Sequence, residues 1–128
     1  MTDIQVILVE DDEPTRIALR HALRSQPGIE VASEATNGET GLVLLESIDV
    51  DVALVDVTLP DMALADFIRH MQARQADSCV RPSKLVILLA PGQVATMAEA
   101  QAIGAHGVCQ KEAPIAELAE LIRQVHAG

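Results

Sequence analysis

The chain has no tryptophan and no tyrosine, and Phe67 is its single phenylalanine. Stacking of bases or sugar rings on aromatic side chains is therefore nearly excluded as a means of recognition. Cationic residues are also scarce: nine Lys and Arg stand against nineteen Asp and Glu, a formal net charge of −10. Nucleic-acid binding needs a basic surface to neutralise phosphates, so this domain is not expected to bind nucleic acid itself. The carboxylate surplus suits a divalent cation or a basic partner surface, and also serves simple solubility. Cys79 and Cys109 are too few for a disulfide framework. The start, MTDIQVILVEDDE, turns acidic at once and is not a secretory signal, so both cysteines read as ordinary thiols in a reducing cytoplasm. No apolar run approaches the ~20 residues of a membrane span, and no membrane association is expected. Low-complexity tracts are missing as well. With 49% apolar residues in 128, the chain can bury one real core, and residues 1–128 read as a single domain.

What is present is alternation. Five β-branched, apolar runs recur near Ile4–Val9, Glu30–Glu34, Val52–Val55, Leu85–Leu89 and Gly107–Cys109. The first, third and fourth are almost continuously apolar, as parallel strands covered on both faces are. Helical periodicity fills the intervals near 14–26, 38–47, 62–75, 93–103 and 114–127. In the last, Ile115, Leu118, Leu121, Ile122 and Val125 form an i, i+3, i+4, i+7 stripe. Punctuation agrees: Pro14 suits a helix start, Pro27-Gly28 a helix end, Asn37-Gly38 a strand-to-helix junction, and Gly104 a helix C-cap. Strict β–α alternation predicts an α/β sandwich on a parallel sheet.

In such a sheet, ligands bind beyond the carboxyl ends of the strands. The first strand ends in Glu10-Asp11-Asp12, the third in Asp56, the fourth in Leu89-Ala90, and Lys111 follows the fifth. Each piece has a bland reading. An acidic triplet after a strand is more often a favourable helix-start charge cluster than a metal site. A lone Asp at a strand end is usually a cap, and a lone Lys is usually solvated. The combination on one sheet edge is what points to chemistry: clustered carboxylates call for a cation, and an all-oxygen donor set suits Mg²⁺. It suits Zn²⁺ poorly, since His21, His70, His106 and His126 show no ligand spacing with each other or with the cysteines. Met62, Met71 and Met97 read as core filler.

The segments VILVEDDEPTR, DVALVDVTLPDM and GAHGVCQK resemble the bacterial two-component response-regulator receiver domain, and the resemblance runs from Ile4 to about Ala127. Its most specific element is D-x-x-L-P at Asp56, Leu59 and Pro60, placed after an acidic pair and before a lone Lys. The resemblance implies a flavodoxin-like (βα)5 fold, a doubly wound five-stranded sheet of order 2-1-3-4-5. It implies that Asp56 accepts a phosphoryl group from a sensor histidine kinase. It further implies that Glu10, Asp11, Asp56 and the Thr58 backbone carbonyl surround Mg²⁺, Asp11 directly and Glu10 through water, and that Lys111 neutralises a phosphoryl oxygen. Asp12 is left to an outer role or to capping. The fourth and fifth helices become the output face, through which a homodimer is implied. The exit, IRQVHAG, resembles receivers that continue into a C-terminal helix-turn-helix domain and control transcription.

Four positions depart from the pattern, one of them Leu64, where a glycine is common before the third helix. The hydroxyl that ends the fourth strand falls on Leu89 or, shifted by one, on Ala90, and neither has one. The switching aromatic of the fifth strand falls on Val108, and Glu112 replaces the proline after the lysine. The loss of both switching residues supports a second reading, a degenerate receiver that acts as a phosphorylation-independent interaction module; the intact Asp11, Asp56 and Lys111 speak against it. A third, an aspartate-nucleophile phosphatase of the haloacid-dehalogenase kind, needs an Asp general acid where Thr58 stands. The expectation is therefore a signalling phosphoacceptor, not an enzyme with an external substrate.

Overall fold

A computed structural model describes residues 2–128 of the chain. Five strands alternate with five helices: β1 (Ile4–Val9), α1 (Glu13–Arg24), β2 (Ile29–Ala35), α2 (Gly38–Ser47), β3 (Val52–Asp56), α3 (Leu64–Ala76), β4 (Lys84–Leu89), α4 (Met97–Ala102), β5 (Gly107–Gln110) and α5 (Ile115–Ala127). All strand pairs are parallel, and the order is β2-β1-β3-β4-β5, as the resemblance implies.

Because strand side chains alternate faces, each apolar run feeds two cores. Ile7, Val9, Ala53, Val55, Leu85, Ile87 and Leu89 pack on one face with Phe67, Ile68 and Met71 of α3. Val6, Leu8, Val52, Leu54, Val86 and Leu88 pack on the other with Leu19 and Leu23 of α1 and Leu118 and Ile122 of α5. Burial on both faces explains why these strands lack the polar half of an amphipathic pattern. Each fully buried Val, Leu or Ile contributes roughly 1.5–3 kcal/mol.

The ends of the elements follow local chemistry. Asp12 caps α1, its carboxylate accepting the Thr15 N–H at 3.1 Å, and the Thr15 hydroxyl also donates to it. Asn37 caps α2 through the Thr40 N–H, and Asp61 accepts the next two free amides, Gly38 at 2.7 Å and Glu39 at 3.0 Å. A Cβ at Gly38 would lie 2.9 Å from the Met62 side chain, which would have to shift to admit it. On the buried side of α3, Gln75 Nε2 donates to Leu45 O and Ser83 Oγ, each at 2.9 Å, while Gln75 Oε1 accepts the Ser83 N–H at 3.0 Å.

Two expectations are corrected. The fourth helix does not begin at 93. Pro91-Gly92 makes a turn, and Thr96 starts α4 with a capping box to Glu99, so only Met97–Ala102 is helical. Gly104 stands after its end with φ of +96°, in the left-handed region that favours glycine. Met97 is not core filler. It is 44% exposed, while Met71 is buried and Met62 is half-buried against the α3-side core. Among the described residues no helix is long and apolar enough to cross a membrane.

Candidate functional site

The central strands end together. β1 and β3 are neighbours in register, Val9 beside Val55, so the next residues, Glu10 and Asp56, emerge side by side at the sheet edge. One oxygen each from Glu10, Asp11 and Asp56 lies within 4.8 Å of the others. Glu10 is fully buried, Asp56 is buried and Asp11 is exposed. Four of the expected residues, Glu10, Asp11, Asp56 and Lys111, are thus brought to one place from three separate segments.

Lys111 joins the cluster from beyond β5, where its N–H donates to Leu89 O. Its Nζ donates to Asp56 Oδ2 at 3.0 Å and lies 2.6 Å from Glu10 Oε1. The second contact is close but poorly aligned, and Glu10 Oε1 has no hydrogen-bond donor. Glu10 Oε2 accepts the Asp12 N–H at 3.2 Å. Asp56 Oδ1 accepts the Thr58 N–H at 2.9 Å. Burial, offset in part by Lys111 and reinforced by the neighbouring Asp56, raises the Glu10 carboxyl to about 7. Burial alone would lower the Lys111 ammonium, but the two carboxylates outweigh it and hold its pKa above the ordinary lysine range.

This arrangement fits a small hard cation. Three carboxylates share a single ammonium, and a cation taking oxygen ligands would balance the charge that remains. Asp12 is not in the cluster: its carboxylate is committed to the N-terminus of α1.

The departures lie at the margin of the site. Leu89 is 3% exposed and packs in the α3-side core. Val108 packs against the same core, and Ala90 begins the turn after β4. That turn holds a residue the sequence did not single out, Gln93, whose amide Nε2 donates to Thr58 Oγ1 at 3.0 Å. A glutamine in a loop carries no sequence signal. The signal that could have found it is the Pro91-Gly92 pair beside it, which favours the turn that places it. A groove of about 620 Å³, lined by Thr15, Leu19, Ala22, Pro91, Lys111 and Ile115, opens beside the cluster between α1 and the start of α5.

The family model for the response regulator receiver domain matches residues 6–123. The chain belongs to that family. Among its relatives, this receiver is 30% identical over 125 residues to the response regulator UvrY of Escherichia coli, covering 98% of this chain and 55% of that protein. It is 25% identical over 123 residues to the nitrate/nitrite response regulator protein NarL of Escherichia coli, covering 96% and 55%. The receiver thus spans about half the length of these relatives. Its fold matches the signal receiver domain of a NarL response regulator from Mycobacterium tuberculosis with a TM-score of 0.86 at 23% identity, covering 100% of this chain and 99% of that one. It also matches the response regulator domain of Thermotoga maritima CheB, with a TM-score of 0.82 at 20% identity and 98% coverage of each.

Proposed function

We propose that this receiver accepts one phosphoryl group on Asp56 from the phosphohistidine of a sensor histidine kinase, in a Mg²⁺-dependent reaction. The observation that carries this reading is the environment of one carboxylate. Asp56 ends a central strand with Oδ2 on the Lys111 ammonium and Oδ1 on the Thr58 N–H, beside the under-neutralised Glu10 and Asp11. A carboxylate held this way is oriented as a nucleophile. As an Asp56 oxygen bonds to phosphorus, the phosphorus–nitrogen bond of the phosphohistidine breaks and its electron pair returns to the imidazole. Lys111 neutralises a phosphoryl oxygen, and the Thr58 N–H fixes the carboxylate plane. Transfer of this kind depends chiefly on positioning and charge stabilisation. Mg²⁺, when bound, supplies the remaining positive charge; Asp11, Asp56 and the Thr58 carbonyl would hold it directly, with Glu10 acting through water.

The product is an acyl phosphate on the protein itself, so the receiver is a signalling phosphoacceptor and not an enzyme with an external substrate. It acts in the cytoplasm and controls transcription through an output domain outside these residues, with α4 and α5 as the face for a homodimer. The interaction-module reading draws on Leu89 and Val108 alone, and it leaves the contacts of Lys111 to Glu10 and Asp56 without a use.

Intact-mass spectrometry after incubation with a small phosphodonor and Mg²⁺ tests the proposal. One added phosphoryl group is expected, lost in Asp56→Asn and in chelator. Phosphorylation that persists in Asp56→Asn refutes the assignment.

A further inference from the structure

Beyond the carboxyl end of β4 the backbone closes on itself. Gln93 N–H donates to Ala90 O at 3.0 Å, with Pro91 and Gly92 in the middle and Gly92 at φ of +86°, the marks of a type II turn. The Gln93 side chain folds back over this turn. Its Oε1 accepts the Ala90 N–H at 2.7 Å, so Ala90 and Gln93 exchange two hydrogen bonds. The same carboxamide reaches across to the β3–α3 segment, donating to the Thr58 hydroxyl oxygen at 3.0 Å. The Gln93 carbonyl accepts from Gln110 Nε2, at the end of β5, at 3.4 Å. Thr58 in turn donates its N–H to Asp56 Oδ1. Hydrogen bonds therefore run without interruption from the Asp56 carboxylate, through Thr58 and Gln93, to the ends of both β4 and β5.

The side chains placed where a hydroxyl and an aromatic ring would stand cannot carry such a connection. Leu89 and Val108 have no polar atoms and pack in or against the α3-side core. We propose that Gln93 is the positioning residue that couples the turn after β4 to the state of Asp56, acting through its bond to the Thr58 hydroxyl. The inference rests on the phosphoacceptor reading. A phosphoryl group on Asp56 changes the charge and position of the oxygen that the Thr58 N–H now serves, and Thr58 must adjust. Because the Gln93 amide both closes the turn and grips Thr58, the adjustment moves Ala90–Gln93 as a unit. The next residue, Val94, is 86% exposed, so the movement reaches the surface as a displaced apolar side chain.

The test is a set of amide spectra of the full chain with and without beryllofluoride and Mg²⁺, in the wild type, Thr58→Val, Thr58→Ser and Gln93→Leu. In the wild type, shifts are expected at residues 56–58, at 92–94 and at the Gln110 side-chain amide. Thr58→Val keeps both bonds of the turn and removes only the hydroxyl. It should shrink the shifts at 92–94 and 110 relative to those at 56 and 57, and Thr58→Ser should restore the proportion. Gln93→Leu should behave as Thr58→Val does. Shifts at 92–94 that persist at full size in Thr58→Val overturn the inference, including the case where Gln93→Leu abolishes them, because Gln93 would then only build the turn. Absence of any shift at 56–58 in the wild type overturns the phosphoacceptor reading itself, and this inference with it.

Discussion

Replacing Glu10 by glutamine separates the electrostatic cost of the site from its purpose. Glu10 is fully buried, and its carboxyl is raised from the ordinary 4.5 to about 7, first by burial and then by Asp56, against the pull of Lys111. A carboxyl whose folded-state value is raised favours the folded state below pH 4.5, and that contribution is lost as the pH rises through about 7. At about 1.4 kcal/mol per pH unit, the loss amounts to roughly 3 kcal/mol. The amide in Glu10→Gln would not titrate. Its one carbonyl oxygen can serve either Lys111 or the Asp12 N–H but not both, which adds a pH-independent penalty of about 1 kcal/mol. Urea unfolding of both proteins in chelator between pH 5 and pH 8.5 isolates the pH-dependent part. The stability of Glu10→Gln relative to wild type should climb by a few kcal/mol across that range, turning from a deficit to a surplus. Excess Mg²⁺ should narrow the gap at high pH, because the wild type keeps the Glu10 charge and binds the cation more tightly, each tenfold in affinity being worth about 1.4 kcal/mol once the cation is in excess. A difference between the two proteins that stays flat from pH 5 to pH 8.5 in chelator would refute the argument that Glu10 is held against its charge.

Asp11→Ala should weaken Mg²⁺ binding, followed by calorimetry, far more than Asp12→Ala, while Asp12→Ala should cost about 1 kcal/mol of stability through the lost cap of α1; equal losses of affinity would move the acidic pair by one residue. Gln75→Leu keeps the volume but strips donors and acceptors from Leu45 O, the Ser83 N–H and Ser83 Oγ, and urea unfolding should show a loss of roughly 3 kcal/mol. A change below the error of the measurement would mean that water replaces the amide. His106 accepts the Leu85 N–H through Nδ1 at 3.1 Å, and burial, with a smaller push from the Lys84 charge, lowers its pKa below the ordinary 6.5. Its contribution is therefore present above pH 6.5 and lost as the pH falls below it. His106→Asn should lose less stability than wild type between pH 7 and pH 5; parallel curves would refute it.

The sequence by itself determined the sheet, its strand ends and the cast of charged residues. Apolar runs long enough to be covered on both faces leave a parallel α/β arrangement as the consistent packing, and strand ends follow from where the runs stop. Glu10, Asp11, Asp56 and Lys111 were legible for that reason: each sits at, or just past, the end of such a run. A T-x-x-E signal for the true start of α4 was also present at Thr96 and Glu99, but the alanine-rich periodicity around it masked it. Tertiary structure alone decided the rest. Whether Asp12 joins the acidic cluster depends on a helix N-terminus competing for its carboxylate, and the helix wins. Whether Glu10 is neutralised depends on where an ammonium from beyond the last strand arrives, and it arrives between Glu10 and Asp56, shared by both. Gln93 meets Thr58 across 35 residues. Periodicity encodes which face of its own element a side chain occupies; it holds no record of which polar group another segment brings within about 3 Å.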